Sequence, residues 1–362
     1  MNLTYTQKFK NPEISKALVA QIREKSIQPL RLMEVCGTHT MSIFRYGIRS
    51  VLPDTITLLS GPGCPVCVTA QQDINAYVML ARRPDVILTT FGDLMKVPGS
   101  ESSLAVEKLN GADVRMVYSI FDTLEIAKEN QNKEVVFCAV GFETTTPTIA
   151  GAVLTAKTQG INNFSIYSAN KLTPPVLAAL METDGVEIDG FILPGHVSAI
   201  TGLDAFAPIF ERYLIPSVVT GFEPVDILKA VLGLVEQNES KVPRLVNAYP
   251  RAVADAGNPK AREIMDQVFE KADACWRGIG NIPDSGMVFR ESFYQFNAAR
   301  KFEIPFVNTR KPAGCDCGRI LMGLKQPDQC RLYKKACTPM QPVGPCMVSS
   351  EGACAAFYKY SR

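Results

Sequence analysis

The stretches LRLMEVCGTHTMSIFRYGI (30–48) and TITLLSGPGCPVCV (55–68) decide how the chain is read. Each opens on a short apolar run and passes through a loop holding glycine and cysteine. Each then enters a helical pattern. Outward from them the scheme repeats. TAQQDINAYVMLARR (69–83) has helical periodicity and DVILTTF (85–91) reads as a buried strand. SSLAVEKLNG, DVRMVYS and DTLEIAKENQ continue the alternation through residue 131. Strand, glycine-bearing loop and helix in repetition imply parallel sheets covered by helices.

From EVVFCAVGF (134–142) the pattern starts again. In ETTTPTIAGAVLTAKTQG, Thr146 is the expected N-cap with Pro147 as first helical residue. In KLTPPVLAALME, Thr173 and Pro174 have the same expected roles. FILPGHVSAITG and SVVTGFEPVDILKAVLGLVEQ follow. LLSGPGCPVCV is similar to FILPGHVSAITG, and LTTFGDLMKV to VVTGFEPVDI. Two related units account for this, as would unrelated βα units sharing loop chemistry. The expected fold is α/β: two similar Rossmann-like parallel-sheet domains plus a third, mostly helical or irregular, Cys-rich iron–sulfur domain. The expected spans are 31–130 and 131–237 for the α/β domains. Residues 1–30 and 238–362 would form the helical region with its cysteine-rich tail, and 241–280 is read as largely helical.

Composition narrows the function. The 362 residues suffice for two or three domains, and 46% hydrophobic with 20% charged is ordinary for a globular protein. A formal net charge of +2 without a basic run gives no nucleic-acid face. The start, MNLTYTQKFKNPEISKAL, lacks a signal-peptide apolar core. No stretch approaches the roughly 18 apolar residues of a membrane span. A cytoplasmic protein with no membrane partner is expected. Eleven cysteines in a reducing compartment point to metal binding or thiol redox work.

Cys36, Cys64 and Cys67 follow predicted strands. In open parallel sheets ligands collect at the carboxyl ends of strands, so Cys36, His39, Cys64 and Cys67 are expected to converge in one crevice. Helix N-termini there favour thiolate. The CPVC pair permits a redox loop, half of a metal site, or two incidental thiols. Both histidines of the chain, His39 and His196, lie at strand ends and are candidates for the site. Glu143 and Asp93 occupy equivalent loop positions, either as site carboxylates or as helix caps and turn residues. GPGCPVC lacks the Lys-Ser/Thr of a phosphate loop, so nucleotide binding is disfavoured. Cys138 and Cys275 stand alone, and Cys138 reads as a small core residue.

Six further cysteines, Cys315, Cys317, Cys330, Cys337, Cys346 and Cys354, crowd the tail. No CxxC zinc knuckle is among them. Four spread cysteines plus a CxC pair suit a [4Fe–4S] cluster beside a redox-active thiol. Cys330, Cys337, Cys346 and Cys354 are the preferred ligands. Cys315 or Cys317 is an alternative to any one of them, and zinc an alternative to the cluster.

EVCGTHT (34–40), SGPGCPVCV (60–68), TTFGDLMKVPGS (89–100), VGFETTTPT (140–148), LPGHVSAITG (193–202) and CTPMQPVGPCMVSSEGACAAFYKY (337–360) together resemble the hydrogenase maturation factor HypD family. The resemblance runs nearly end to end. It implies a cytoplasmic scaffold for the Fe(CN)2CO group of [NiFe] hydrogenases, in stable complex with the small protein HypC. Cyanide would arrive from HypE, bound transiently, which carries it as a thiocyanate. By motif the iron-binding cysteines fall on Cys36, Cys64 and Cys67, and a [4Fe–4S] cluster falls in the tail. Soft thiolates suit an Fe(II) bearing cyanide and carbon monoxide. His39 would orient Cys36 or donate to a bound cyanide. The runner-up is a thiol-disulfide reductase resembling ferredoxin–thioredoxin reductase, and a structural zinc protein is third.

Overall fold

The computed structural model describes residues 8–305, 309 and 313–361. Among these residues nine strands form two all-parallel sheets. The first has the order β2-β1-β7-β8-β9, with β1 Leu30–Glu34, β2 Ile56–Ser60, β7 Gly190–Pro194, β8 Ser217–Thr220 and β9 Leu245–Asn247. The second has the order β4-β3-β5-β6, with β3 Val86–Thr90, β4 Val114–Met116, β5 Glu134–Ala139 and β6 Phe164–Ser168. The α/β class and the parallel sheets are as the alternation implied. Strands β3 and β7 are buried at every residue. That suits strands covered on both faces, whose sequences read as unbroken apolar runs.

The contiguous division at residue 130 is corrected. Strands β1 and β2 share a sheet with β7 and β8, while β3 and β4 join β5 and β6. The chain leaves the first sheet after β2, builds the whole second sheet, and returns as β7 beside β1. Apolar periodicity identifies a parallel strand but not its neighbour, because a crossover connection separates parallel partners in any case.

The largely helical reading of 241–280 is also corrected. One helix, Pro259–Val268, is followed by an antiparallel hairpin of β10 Phe269–Trp276 and β11 Gly280–Phe289. Lys271, Ala272 and Ala274 are helix formers in isolation. Pairing with β11 overrides that weak preference. Two caps shift by one residue. Thr145 and Leu172 are the N-caps, so Thr146 and Thr173 are already helical. The Thr146 hydroxyl instead donates to the Phe142 carbonyl at 3.0 Å.

The N-terminal helix Pro12–Lys25 starts on Asn11, whose side chain accepts from the Glu13 and Ile14 amides. Its Leu18 and Ile22 are buried with Leu228, Val231 and Val235 of the helix Pro224–Ser240. The tail is irregular, with short helices Cys317–Leu321 and Ala353–Tyr360. It has no core of its own. Ile320, Leu321, Met347 and Ala353 belong to one apolar cluster with Val66, Val68 and Trp276. Trp276 is fully buried, donates to the Ser285 hydroxyl at 2.8 Å and stacks on Phe142 at 5.9 Å. It joins the hairpin, the second sheet and the loop after β2.

Replacing Trp276 by Ala therefore removes the plug between these parts. The expected cost is about 3–5 kcal/mol. Urea unfolding followed by circular dichroism measures it, since Trp276 is the chain's single tryptophan.

Candidate thiol and metal site

The site begins where β1 and β2 end side by side. Cys36 is the N-cap of the helix Gly37–Arg45, and Cys64 is the N-cap of the short helix Pro65–Val68. The loops are held together by backbone. The Gly61 amide donates to the Glu34 carbonyl at 2.7 Å, and the Gly37 amide to the Gly63 carbonyl at 2.9 Å. A β-carbon at Gly63 would lie 2.1 Å from the Cys36 nitrogen and 2.3 Å from its Cα. Only glycine permits that approach.

Cys64 and Cys67 are joined as a disulfide, and the Cys67 amide donates to the Cys64 sulfur at 3.2 Å. Cys36 is a free, buried thiol. The structure thus brings the Cys36 turn against the CPVC turn, with the CPVC pair oxidised. Among the described residues, no three His, Cys, Asp or Glu side chains are arranged to hold one metal ion.

Burial pushes the Cys36 thiol up to about 12. The amides of His39 and Thr38 pull the other way, while the carboxylates of Glu351 and Glu34 push it further up. The expected thiolate at a helix N-terminus is corrected here. The amides at the helix N-terminus lower the thiol, but desolvation of a fully enclosed sulfur outweighs them. A coordinated metal would reverse the balance, since coordination removes the thiol proton outright.

Sequence reading missed two carboxyls around Cys36. Glu34 ends β1 and is fully buried. Its oxygens accept from the Thr40 hydroxyl at 2.6 Å and the Cys36 amide at 3.3 Å. Burial raises its pKa to about 8, against the lowering effects of Thr40, Ser60, the Cys36 amide and Arg49. An acid closing the apolar run LRLMEV was the available signal. Glu351 comes from the tail and accepts from the Thr38 hydroxyl at 2.8 Å. A β-carbon on Gly37 would meet the Glu351 β-carbon at 2.5 Å. Burial raises the Glu351 carboxyl, Thr38 opposes, and the charge of Asp93 raises it further. Asp93 itself is exposed on the turn Gly92–Leu94.

His39 is fully buried on the Cys36 helix. Its Nε2 lies 2.9 Å from the Gly221 carbonyl, which can only accept, so the proton sits on Nε2. Nδ1 is buried with no partner. Phe222 lies between the histidines, 4.6 Å from the His39 ring and 3.9 Å from that of His196. Burial lowers the His39 pKa to about 4, opposed by the Gly221 carbonyl, and lowers that of His196 as well. Both rings are neutral at pH 7.

Glu143 takes the capping role. It accepts from the Thr173 amide at 2.7 Å and the Thr173 hydroxyl at 2.9 Å, covering the start of the helix Thr173–Met181. Burial raises its carboxyl to about 7.

In the tail, all six cysteines line one small cavity, with Ile320, Leu332, Tyr333 and Met347 as apolar wall. Cys317, Cys337, Cys346 and Cys354 are buried, while Cys315 and Cys330 are partly exposed. The Cys315 and Cys346 sulfurs both act on the Cys317 thiol, Cys315 lowering it and Cys346 with burial raising it. A β-carbon at Gly344 would lie 2.7 Å from the Cys315 sulfur and 3.2 Å from that of Cys317. The cavity faces the front site closely, since the Cys67 sulfur lies 4.0 Å from the Pro345 carbonyl.

The HypD family model, described as the hydrogenase formation hypA family, matches residues 13–361. The chain belongs to the HypD family. A Methanocaldococcus jannaschii protein named for hydrogenase expression/formation is 45% identical over 96% of this chain and 97% of its own. Hydrogenase maturation factor HypD2 of Bradyrhizobium diazoefficiens and HypD of Azotobacter vinelandii are each 42% identical, over 99% of this chain and 97% of theirs. Among the described residues, no helix of this HypD-family chain is long and apolar enough to cross a membrane.

The Glu34 shift has a signed consequence. A carboxyl raised to about 8 stabilises the fold when protonated. That contribution is fully present below the unfolded value near 4.5 and is lost as pH rises to about 8. Glu34→Gln should flatten the fall in stability across this window, by on the order of a few kcal/mol. Urea midpoints at several pH values test it. Gly63→Ala should cost more than about 2 kcal/mol, because backbone meets the new β-carbon.

Proposed function

We propose that this HypD-family hydrogenase maturation factor is a cytoplasmic scaffold on which the Fe(CN)2CO group of [NiFe] hydrogenases is assembled. The backbone-locked contact between the Cys36 turn and the CPVC turn, with the tail folded over both, carries this reading. The iron is cargo. Cys36 would hold it with Cys64 and Cys67, and a cysteine of HypC would complete the set. HypE would deliver cyanide.

Iron binding demands chemistry from this chain first. The Cys64–Cys67 disulfide must take two electrons and two protons from a reductant to become two thiols, and each of the three thiols must then release its proton to solvent as the metal binds. The neutral imidazole of His39, with its bare Nδ1, cannot add positive charge beside the iron and offers an acceptor or ligand nitrogen. Glu34 receives the Cys36 amide and steadies the turn.

The tail pocket fits a [4Fe–4S] cluster by donor chemistry. It holds six soft thiols, apolar walls, and a glycine where a β-carbon would meet two sulfurs. Cys330, Cys337, Cys346 and Cys354 remain the preferred ligands, with Cys315 and Cys317 as the adjacent pair. When bound, the cluster supplies single electrons.

The Cys64–Cys67 disulfide lying against the tail also favours a second reading, a thiol-disulfide reductase. Purification with HypC under anaerobic conditions separates the two. A scaffold shows infrared bands of iron-bound CN and CO. Cys36→Ala should abolish those bands and iron retention while circular dichroism is unchanged. Bands of normal intensity in that variant would remove Cys36 from the site. Catalytic reduction of a protein disulfide without HypC would favour the reductase, and zinc as the sole metal would sink both.

A further inference from the structure

Arg277 sits in the turn between β10 and β11 and is nearly buried, at 9% exposure. Its amide and two of its three guanidinium nitrogens are committed to the chain just after the CPVC turn. Its backbone amide donates to the Val68 carbonyl at 2.9 Å, and its Nε donates to the Thr69 carbonyl at 2.7 Å. Nη1 donates to the Gln71 side-chain oxygen at 2.8 Å. The remaining nitrogen, Nη2, is buried with no partner among the described residues.

The other side of the same turn presses on the tail. A β-carbon at Gly278 would lie 2.4 Å from the Gly318 Cα, so the turn rests directly against the start of the helix Cys317–Leu321. The groups close enough to act on Arg277 when ionised are Cys317, Cys346, Asp73 and Cys315. Three of these four line the tail cavity. Burial raises the Asp73 carboxyl, and Lys171 shares its charge with Arg277. Arginine keeps its proton even when enclosed. A buried guanidinium with an open N–H is costly unless negative charge faces it. Sulfur of the tail cavity, once anionic, supplies that charge alongside Asp73.

We propose that Arg277 is a positioning residue for the redox chemistry of this protein: its fixed charge stabilises the reduced, more negative state of the sulfur centre in the tail pocket, while its hydrogen bonds hold that pocket against the CPVC segment. This rests on the reading of the pocket as an iron–sulfur site. The arginine exchanges neither electrons nor protons. It acts through its field, which low-dielectric surroundings magnify.

The test is an anaerobic redox titration of the full chain, with the cluster followed by electron paramagnetic resonance and iron and labile sulfide counted in each sample. Arg277→Gln should keep iron and sulfide but lower the midpoint by about 59 mV or more, a tenfold change for one electron. Arg277→Lys, which retains the charge, should stay near wild type. Gln71→Glu leaves the arginine and its hydrogen bond in place while offsetting its charge, and should shift the midpoint in the same direction. It decides the matter if Arg277→Gln does not fold. Wild-type protein without iron and sulfide would overturn the cluster reading, and this role with it. Loaded protein whose midpoint is unmoved in Gln71→Glu and in any folded Arg277→Gln would overturn the role of Arg277 alone.

Discussion

Gly63 lies so close to the Cys36 backbone that the two turns at the ends of β1 and β2 form one unit. The parallel pairing of the strands brings the turns to the same height, and the missing β-carbon lets them touch. Everything else in the front site is arranged around this contact. Cys36 and Cys64 each begin a helix from it, Glu34 closes it from the strand side, and the tail caps it through Glu351. Sulfurs placed by such backbone contacts are held without relying on long side chains.

Enclosure governs the electrostatics. The buried Cys36 thiol and Glu34 carboxyl hold their protons, and His39 and His196 stay neutral. The resting site therefore carries little net charge despite its many ionisable groups. A metal cation bound there would have to displace the thiol protons to solvent. The same logic makes Arg277 conspicuous, since it is a permanent charge in a region where most other groups have given theirs up.

The tail lacks the area to bury its own apolar residues, and it solves this by sharing a cluster with the CPVC segment and Trp276. Sharing has a functional result. The six-thiol cavity, the disulfide and the Arg277 turn become neighbours in one packed body.

The sequence by itself determined the parallel α/β class, the placement of Cys36 and the CPVC pair at strand ends, and the clustering of thiols in the tail. These follow from local periodicity and from glycine and cysteine spacing, which need no knowledge of partners. Only the tertiary structure decided that β7 returns beside β1, that 269–289 is a hairpin, and that Glu143 caps a helix while Glu34 and Glu351 surround Cys36. It also decided that the enclosed thiol is protonated. Strand neighbours, cross-chain caps and desolvation all depend on which distant segments meet, and linear spacing carries no record of that.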